Sequence, residues 1–531
     1  MTKRFKGSAG RAAALAFITV AWAGVAAAAK APAPAPAAST NFCGKGALTC
    51  ADPAYVGAIT AGSATVWAHA SGQAQVQLRW KNAKKGNWNT VGPVQTTDAA
   101  GNTAQFPITG LNAGATYTYQ IGVTQAGGKV NWSASAWFTT QLAAPKKLSF
   151  SVLSDFANAL VTSQALRTAT TAQNDFVMFI GDMDHRNPAA DKDGTLPPGD
   201  PDVLADMRSM HQNMRNPGFA IGADFYNGLI ASTDAHSQTP FYYGWDDHDY
   251  CQNNVGADCV FRDFAFQAYR ENYVWAADSG LNQTADCQAV NQHVAYGALL
   301  DVFLLDARSG RVQAGANPTM LGACQLGWLI NGLKASTATW KFVMSPVPFN
   351  MTTKTYDAWG AFPSEHAQIL AAINDNKLKN VIVLSGDIHS GGAYDDGTHS
   401  GLPEISVPHA NMPTDWVNTF CQPIYVNNKF DHLNDEPGTW TIGAMTAPNT
   451  VPATTCLAKS WPGKPAQVST AGPYPLDGVN APGYVRVELT TTTATVNVFG
   501  ADGTLRSGVR ADGSSSPLSF QFTAGSAVVP H

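Results

Sequence analysis

Two apolar runs in this chain stop at Gly-Asp. Phe176-Val177-Met178-Phe179-Ile180 runs into Gly181-Asp182, and Val381-Ile382-Val383-Leu384 runs into Ser385-Gly386-Asp387-Ile388-His389. A short, unbroken apolar run bounded by turn residues reads as a strand buried on both faces. An Asp or His just past such a strand sits where open α/β sheets place their active sites. Between the two lies Trp245-Asp246-Asp247-His248-Asp249, and Ser154-Asp155 follows the apolar run Leu148 to Leu153. Four separate loops therefore carry Asp or His, the supply of side chains that a pair of metal ions requires.

The 531 residues suggest two to three domains, and a hydrophobic fraction of 45% excludes wholesale disorder. The first 29 residues read as a secretory signal peptide: Lys3, Arg4 and Lys6 precede the apolar stretch Ala12 to Ala29, which ends in small residues. No Arg pair precedes that stretch, which favours the general secretion route, and a retained anchor is the alternative. Cleavage would remove four basic residues and leave 29 basic against 38 acidic, a net charge of −9. Such a chain has no general attraction for nucleic acid or anionic membranes, so a bound phosphate needs a local positive site such as metal ions. No transmembrane segment is expected after cleavage, and the product is expected to be exported, periplasmic or extracellular. The sequence is silent on oligomeric state.

All eight cysteines lie beyond residue 29, and an even count in an exported chain argues for disulfides. Nearest-neighbour pairing gives Cys43–Cys50, Cys251–Cys259, Cys287–Cys324 and Cys421–Cys456; free buried thiols are the alternative.

Residues 30–50 form an Ala/Pro-rich spacer. From 51 to 142 short alternating strands recur, as in Ala64 to His69 and Val76 to Trp80, which indicates a β-sandwich. The run Gly110-Leu111-Asn112-Ala113-Gly114-Ala115-Thr116-Tyr117-Thr118-Tyr119-Gln120-Ile121 resembles a fibronectin type III module. From 147 to 531 apolar strands (Leu299 to Leu305, Trp340 to Met344) alternate with helical stretches (Gln164 to Gln173, Arg262 to Trp275, Leu326 to Ala335, Glu365 to Asn374). That is an α/β layered core. Residues 421–480, rich in Pro, Asn and Gly, read as an insertion. Tyr484 to Val498 and Leu518 to Phe522 suggest a closing hairpin on the sheet edge.

Asp182 is the best candidate for a carboxylate shared by two metals. Asp155 would serve one ion and Asp247 the other, with Asp387, His389 and His185 completing the set. Each Asp alone is more ordinarily a cap or turn residue; the argument rests on their combination at strand ends.

The set resembles the calcineurin-like metallophosphoesterases, and most closely their alkaline phosphatase D (PhoD-like) branch. Trp245-Asp246-Asp247-His248-Asp249 resembles the branch's Trp-Asp-Asp-His-Glu block, with Asn253 and Asn254 at the place of its following Asn pair. Arg262 to Tyr273 resembles the next helix, Leu305-Asp306-Ala307-Arg308 the Leu-Asp-x-Arg block, and Ser385-Gly386-Asp387-Ile388-His389 the closing Ser-Gly-Asp-x-His. The likeness runs from about Lys147 to Tyr394. It implies an α/β/β/α metallophosphoesterase core behind an N-terminal β-sandwich, and a metal-dependent phosphoester hydrolase acting on a phosphate ester. It also implies two divalent or trivalent metal ions (Ca, Fe, Zn or Mn), in-line attack by hydroxide on the metals, and His248 as proton donor. Arg308 is a candidate for a bidentate phosphoryl contact, with a structural ion pair as the alternative. Asn254 is a candidate substrate contact or a turn residue.

The chain departs from the pattern at two places. Where relatives place a tyrosinate three residues after Gly-Asp, this chain has His185 preceded by Asp184, and either side chain is a candidate ligand. The first block lacks a His at Ala157, leaving Asp155 as its ligand with Asn158 in reserve. His409 is the one remaining histidine that follows a strand-like run beyond the closing block. Two other readings compete: a phosphodiesterase or phospholipase D-like hydrolase on the same fold, and an exported binding protein with a decayed site.

Overall fold

The computed structural model describes residues 48–185, 201–275, 287–313, 317–353, 357–389, 392–411, 481–510 and 515–525, with five two-residue strands between 425 and 477. The expected leader, Cys43, Cys421, Cys456 and most of the expected insertion lie outside the described residues.

The N-terminal strands build a β-sandwich. One sheet joins β1 (Cys50–Gly57), β2 (Ser63–Ala70) and β5 (Thr103–Thr109). The other runs β4 (Asn89–Gln95), β3 (Gln75–Asn82), β6 (Thr116–Thr124) and β7 (Val130–Trp132), with β8 (Ala136–Thr139) also on β6. Alternation sorts the side chains of β2: Ala64, Val66 and Ala68 enter the sandwich core with Leu78, Phe106 and Ile121. Trp67 points the other way and joins the core of the α/β unit, where its indole N–H donates to the Glu271 carbonyl at 2.7 Å. Tyr55 likewise donates to the Asn272 carbonyl at 2.9 Å. The β1-β2-β5 sheet is thus covered on both faces.

The rest is a four-layer α/β/β/α core. The first sheet contains β9 (Lys147–Leu153), β10 (Phe176–Ile180) and β11 (Phe241–Gly244), in parallel. The second contains β12 (Gln292–Tyr296), β13 (Leu300–Leu304), β14 (Trp340–Ser345), β15 (Val381–Ser385), β16 (Tyr394–Asp395) and β17 (Glu404–Ser406). Phe150, Met178, Ile180, Phe342, Met344 and Leu384 meet between the sheets. On the outer face of the first sheet, Val177 and Phe179 pack under α1 (Gln164–Thr171), α2 (Pro201–Asn213) and α5 (Arg262–Asn272). On the second, Phe303, Val343 and Val383 pack under α6 (Gly322–Ala335) and α7 (Pro363–Asp375). β10 is apolar at every position because neighbours cover both faces. The architecture is the layered α/β core with an N-terminal β-sandwich that the sequence implies.

Two details differ from expectation. Strand Gly483–Thr490 is interior, pairing with β9 on one side and with Thr493–Gly500 on the other; Ser519–Thr523 takes the edge. Val485, Val487 and Leu489 fill space between the sheets, which seats this strand inside. α5 stops at Asn272 and α6 begins at Gly322, so both differ by a few residues from their sequence limits. Cys251 pairs with Cys259 and Cys287 with Cys324, as nearest-neighbour pairing expects, and Cys50 is also disulfide-bonded.

Candidate metal centre

Four strand-end loops converge at the carboxyl ends of the two sheets. Asp155 follows β9, Asp182 follows β10, α4 (Asp247–Tyr250) follows β11, and Asp387 and His389 follow β15. Asp155, Asp182, Asp387 and His389 all have positive φ, at 56°, 49°, 72° and 52°. These left-handed turns fold each loop back over its strand end, a conformation that Asp tolerates better than most residues and that concentrates at functional sites. The two glycines of the Gly-Asp pairs allow the loops to close in. A Cβ on Gly181 would lie 2.7 Å from the Asp246 Cβ, and one on Gly386 would lie 2.5 Å from the Ser154 Oγ.

The side chains gather in overlapping groups whose ligand atoms all lie within 4.8 Å of one another. Asp155, Asp182, His185 and His389 form one; Asp182, Asp247 and His248 form the second, so Asp182 belongs to both. The His185 Nε2 lies 3.0 Å from the His389 Nε2 and 3.2 Å from the Asp182 Oδ2, and the His389 Nε2 lies 3.4 Å from the Asp155 Oδ1. The His185 Nδ1 faces the Phe156 carbonyl at 2.7 Å. A carbonyl only accepts, so Nδ1 carries the proton and Nε2 presents its lone pair to the cluster. Burial, aided by His248, pushes the His185 imidazole down to about 3, which keeps it neutral. Burial, and then the charges of Asp247, Asp246, Asp249 and Asp155, push the Asp182 carboxyl well above its usual range. The neutral imidazole of His185, the imidazole of His389 and crowded carboxylate oxygens, converging in a largely buried space, are the donor set that hard or borderline cations take. These residues fit metal binding, and Asp182 belongs to two of the groups.

A third group, Asp246, Asp247 and Asp387, already faces a cation of the protein itself. The Arg308 guanidinium lies 3.6 Å from Asp247 and 3.9 Å from Asp387. For Arg308 the structure shows the ion pairing that was the alternative to a phosphoryl contact. Arg308 is fully buried; its Nε and Nη2 donate to the two oxygens of Asp246, and its Nη1 donates to Asp357 at 3.0 Å. Each arm of the guanidinium is taken by a carboxylate, in the planar two-pronged geometry that suits Arg.

The other expected residues fall as follows. His185 joins the cluster, whereas the groups do not include Asp184. The Asn158 Oδ1 accepts from the Leu160 N–H at 2.9 Å in a local turn. His248 is half-buried, and its N–H lies 3.0 Å from Asp247 Oδ1 and 3.3 Å from Asp182 Oδ1. Asn254 donates its N–H to Asp247 Oδ2 at 2.7 Å and accepts at its carbonyl from Arg311 at 2.7 Å. His409 is buried just behind the first loop: the Ala410 N–H reaches the Ser154 and Asp155 carbonyls at 2.9 and 3.1 Å.

Asp249 is the residue that sequence reasoning passed over. Its Oδ2 accepts from the Met183 N–H at 3.1 Å and from the Tyr243 hydroxyl, and its Oδ1 accepts from the Asp246 N–H at 3.1 Å. One buried carboxylate therefore ties the Asp182 loop to the Asp247 loop. The branch's Glu at this place was the available signal, but nothing in a run of acidic residues tells which one faces inward.

Residues 161–407 match the family described as PhoD-like phosphatase. The chain is 30% identical over 188 aligned residues to alkaline phosphatase D of Bacillus subtilis (strain 168), covering 29% of this chain and 32% of that protein. The match thus spans about a third of that relative's length. In fold, the chain is similar to a solved structure of PhoD, with a TM-score of 0.60, 18% identity and coverage of 92% of this chain and 91% of the other. It is also similar to a purple acid phosphatase from yellow lupin seeds, with a TM-score of 0.52, 12% identity and coverage of 90% and 76%.

Proposed function

Starting from the PhoD-like phosphatase domain at residues 161–407, we propose that the chain is an exported, metal-dependent phosphoester hydrolase. The observation that carries this reading is Asp182, shared by two groups of ligand atoms on loops from four different strands. Asp155, Asp182, His185 and His389 would hold one ion, and Asp182 and Asp247 the other. A metal pair in this position supplies an activated water nucleophile and charge neutralisation at phosphorus.

The remaining steps belong to the protein. His248, half-buried at the rim and anchored through its N–H, gives its proton to the departing ester oxygen. Its ring lies 4.7 Å from that of His185, and it shares the second group with Asp182 and Asp247. Asn254 contacts the phosphoryl group from a backbone fixed at both polar groups, its N–H on Asp247 and its carbonyl under Arg311. Arg308 acts as a positioning residue, holding Asp246 and with it the loop that carries Asp247 and His248. Asp387 is a further ligand of the metal beside Asp247, with which it shares the third group, 3.9 Å from Arg308.

Export is supported by the leader-like first 29 residues and by five disulfide-bonded cysteines among the described residues. No helix among the described residues is long and apolar enough to cross a membrane. The test is turnover of a chromogenic phosphomonoester and its bis-ester by the purified chain, before and after chelation and metal return. Hydrolysis of either ester that chelation abolishes supports the reading. Turnover unaffected by chelation, or none with any metal, contradicts it.

A further inference from the structure

The second sheet of the sandwich, β4-β3-β6-β7, turns one face to the sandwich core through Val76, Leu78, Ile121 and Val123. Its other face carries no core residue. Register places Arg79 opposite Thr90 and Gln120, and Trp132 opposite Gly122, so these side chains share that outer face. A Cβ on Gly122 would come within 2.8 Å of the Trp132 indole. The missing side chain lets the ring lie down against the strand.

Cations sit over the rings. The Arg79 guanidinium lies 4.2 Å from the Trp132 ring centre and 4.6 Å from that of Trp88, and its Nε donates to Gln120 Oε1 at 2.7 Å. The Lys81 Nζ lies 4.9 Å from the Trp88 ring. Cation–π attraction thus orders two indoles side by side on the sheet, and Trp88 remains 36% exposed, among the few large apolar side chains so exposed in the described residues.

Charge is segregated in the same place. Residues 75–95 and 116–139, which make up this sheet, contain Arg79, Lys81, Lys84, Lys85 and Lys129 and no Asp or Glu. Subtracting those five from the chain's net −5 leaves −10 on the remainder. An acidic protein therefore displays one basic sheet paved with tryptophan. Charge asymmetry of this kind marks a surface for an anionic partner.

We propose that this face binds an anionic polysaccharide, with a sugar ring against the exposed Trp88 and acidic groups reaching Arg79, Lys81, Lys84 and Lys85. Aromatic faces accept the C–H face of a sugar ring, and the amide of Gln120 and the hydroxyl of Thr90 offer hydrogen bonds to its hydroxyls. Single-stranded nucleic acid uses the same side-chain types. Its closely spaced phosphates, however, meet repulsion from the other −10 of the chain, whereas a glycan with widely spaced charges meets less. The inference is independent of the phosphoesterase reading.

The full-length protein is titrated with hyaluronate, which carries no phosphoester, with neutral dextran, and with an oligodeoxythymidylate, following indole fluorescence and calorimetry. Hyaluronate should bind, more weakly as salt rises, and dextran should not. Trp88→Ala and Lys81→Gln should each weaken hyaluronate roughly tenfold without changing turnover of a small chromogenic phosphoester. Absence of hyaluronate binding, equal binding of dextran, tighter binding of the oligonucleotide, or unchanged affinity in both variants would overturn the proposal.

Discussion

The imidazole Nε2 atoms of His185 and His389 lie 3.0 Å apart, although 204 residues separate them in sequence. His185 is oriented from behind by the Phe156 carbonyl, and His389 stands on a left-handed turn after β15. Two nitrogens from opposite sheets aim at one small volume that two carboxylates also border. That convergence makes the following outcomes testable.

His248→Ala should retain metal and lose rate. The side chain lies at the rim, and the N–H that bonds Asp247 and Asp182 belongs to the backbone, which the substitution keeps. Loss of a general acid lowers turnover about 10²- to 10⁴-fold. Metal content and kcat measured on the same preparation check this. Loss of bound metal in step with activity would make His248 a ligand instead.

Arg308→Met should destabilise the fold by about 3–5 kcal/mol, because Asp246 and Asp357 would lose their buried counter-charge. Arg308→Lys should recover only part, since an ammonium cannot pair two carboxylates in a planar fork. Urea unfolding reads the effect. A variant of unchanged stability with a raised KM would return Arg308 to the substrate.

Asp249→Asn should weaken metal binding about 10- to 100-fold, as loss of an orienting partner behind metal ligands does. An Asn amide offers one oxygen where Asp249 offers two, and Met183, Tyr243 and Asp246 together supply three donors. Metal titration followed by thermal shift measures it. Asp249→Glu, which restores the residue typical of the branch, should keep more affinity than Asn; the reverse order would refute the clamp.

Glu404, outside the Asp and His groups, gives a pH signature of its own. It accepts from the Phe349 N–H and the Ser385 hydroxyl, yet burial pushes its carboxyl from 4.5 up to about 8. The folded chain then holds a proton that the unfolded chain has released. Its contribution to stability is complete below 4.5 and is lost as pH rises through about 8, at about 1.4 kcal/mol per unit of difference. His366 works in the opposite sense, because burial holds it down to about 4; its contribution falls away as pH drops from 6.5. Between pH 6.5 and 8, therefore, Glu404→Gln should gain stability relative to the unsubstituted protein. Urea midpoints that fall in parallel for both proteins would contradict this.

Much of this was legible because buried parallel strands leave a plain trace. β10 is apolar throughout and β15 as far as Leu384, and an Asp directly after Gly at a strand end has few purposes. The strands, the sandwich and the loops that carry the Asp and His groups are therefore readable in the sequence, while the two-sheet layering came with the family resemblance. The sequence could not indicate partners that depend on three-dimensional direction. Asp246 and Asp247 are adjacent, yet one turns toward Arg308 and the other toward Asn254 and the metal groups. Asp357, which shares Arg308 with Asp246, stands in no motif. Hydrogen-bonding capacity is also invisible in one dimension: Arg308 fits a phosphate fork as well as it fits two carboxylates. The seat of strand Gly483–Thr490 was obscured for a similar reason, since alternation reports a half-buried strand without naming its neighbours.

The central claim is that Asp182 joins two cations. Elemental analysis of the purified chain and of Asp182→Ala, prepared identically and corrected for folded fraction by circular dichroism, tests it most directly. The account predicts about two metal ions per chain in the unsubstituted protein and near-complete loss from a folded Asp182→Ala. A metal-free protein that no ion reloads, or a folded Asp182→Ala with its full complement of metal, would contradict it.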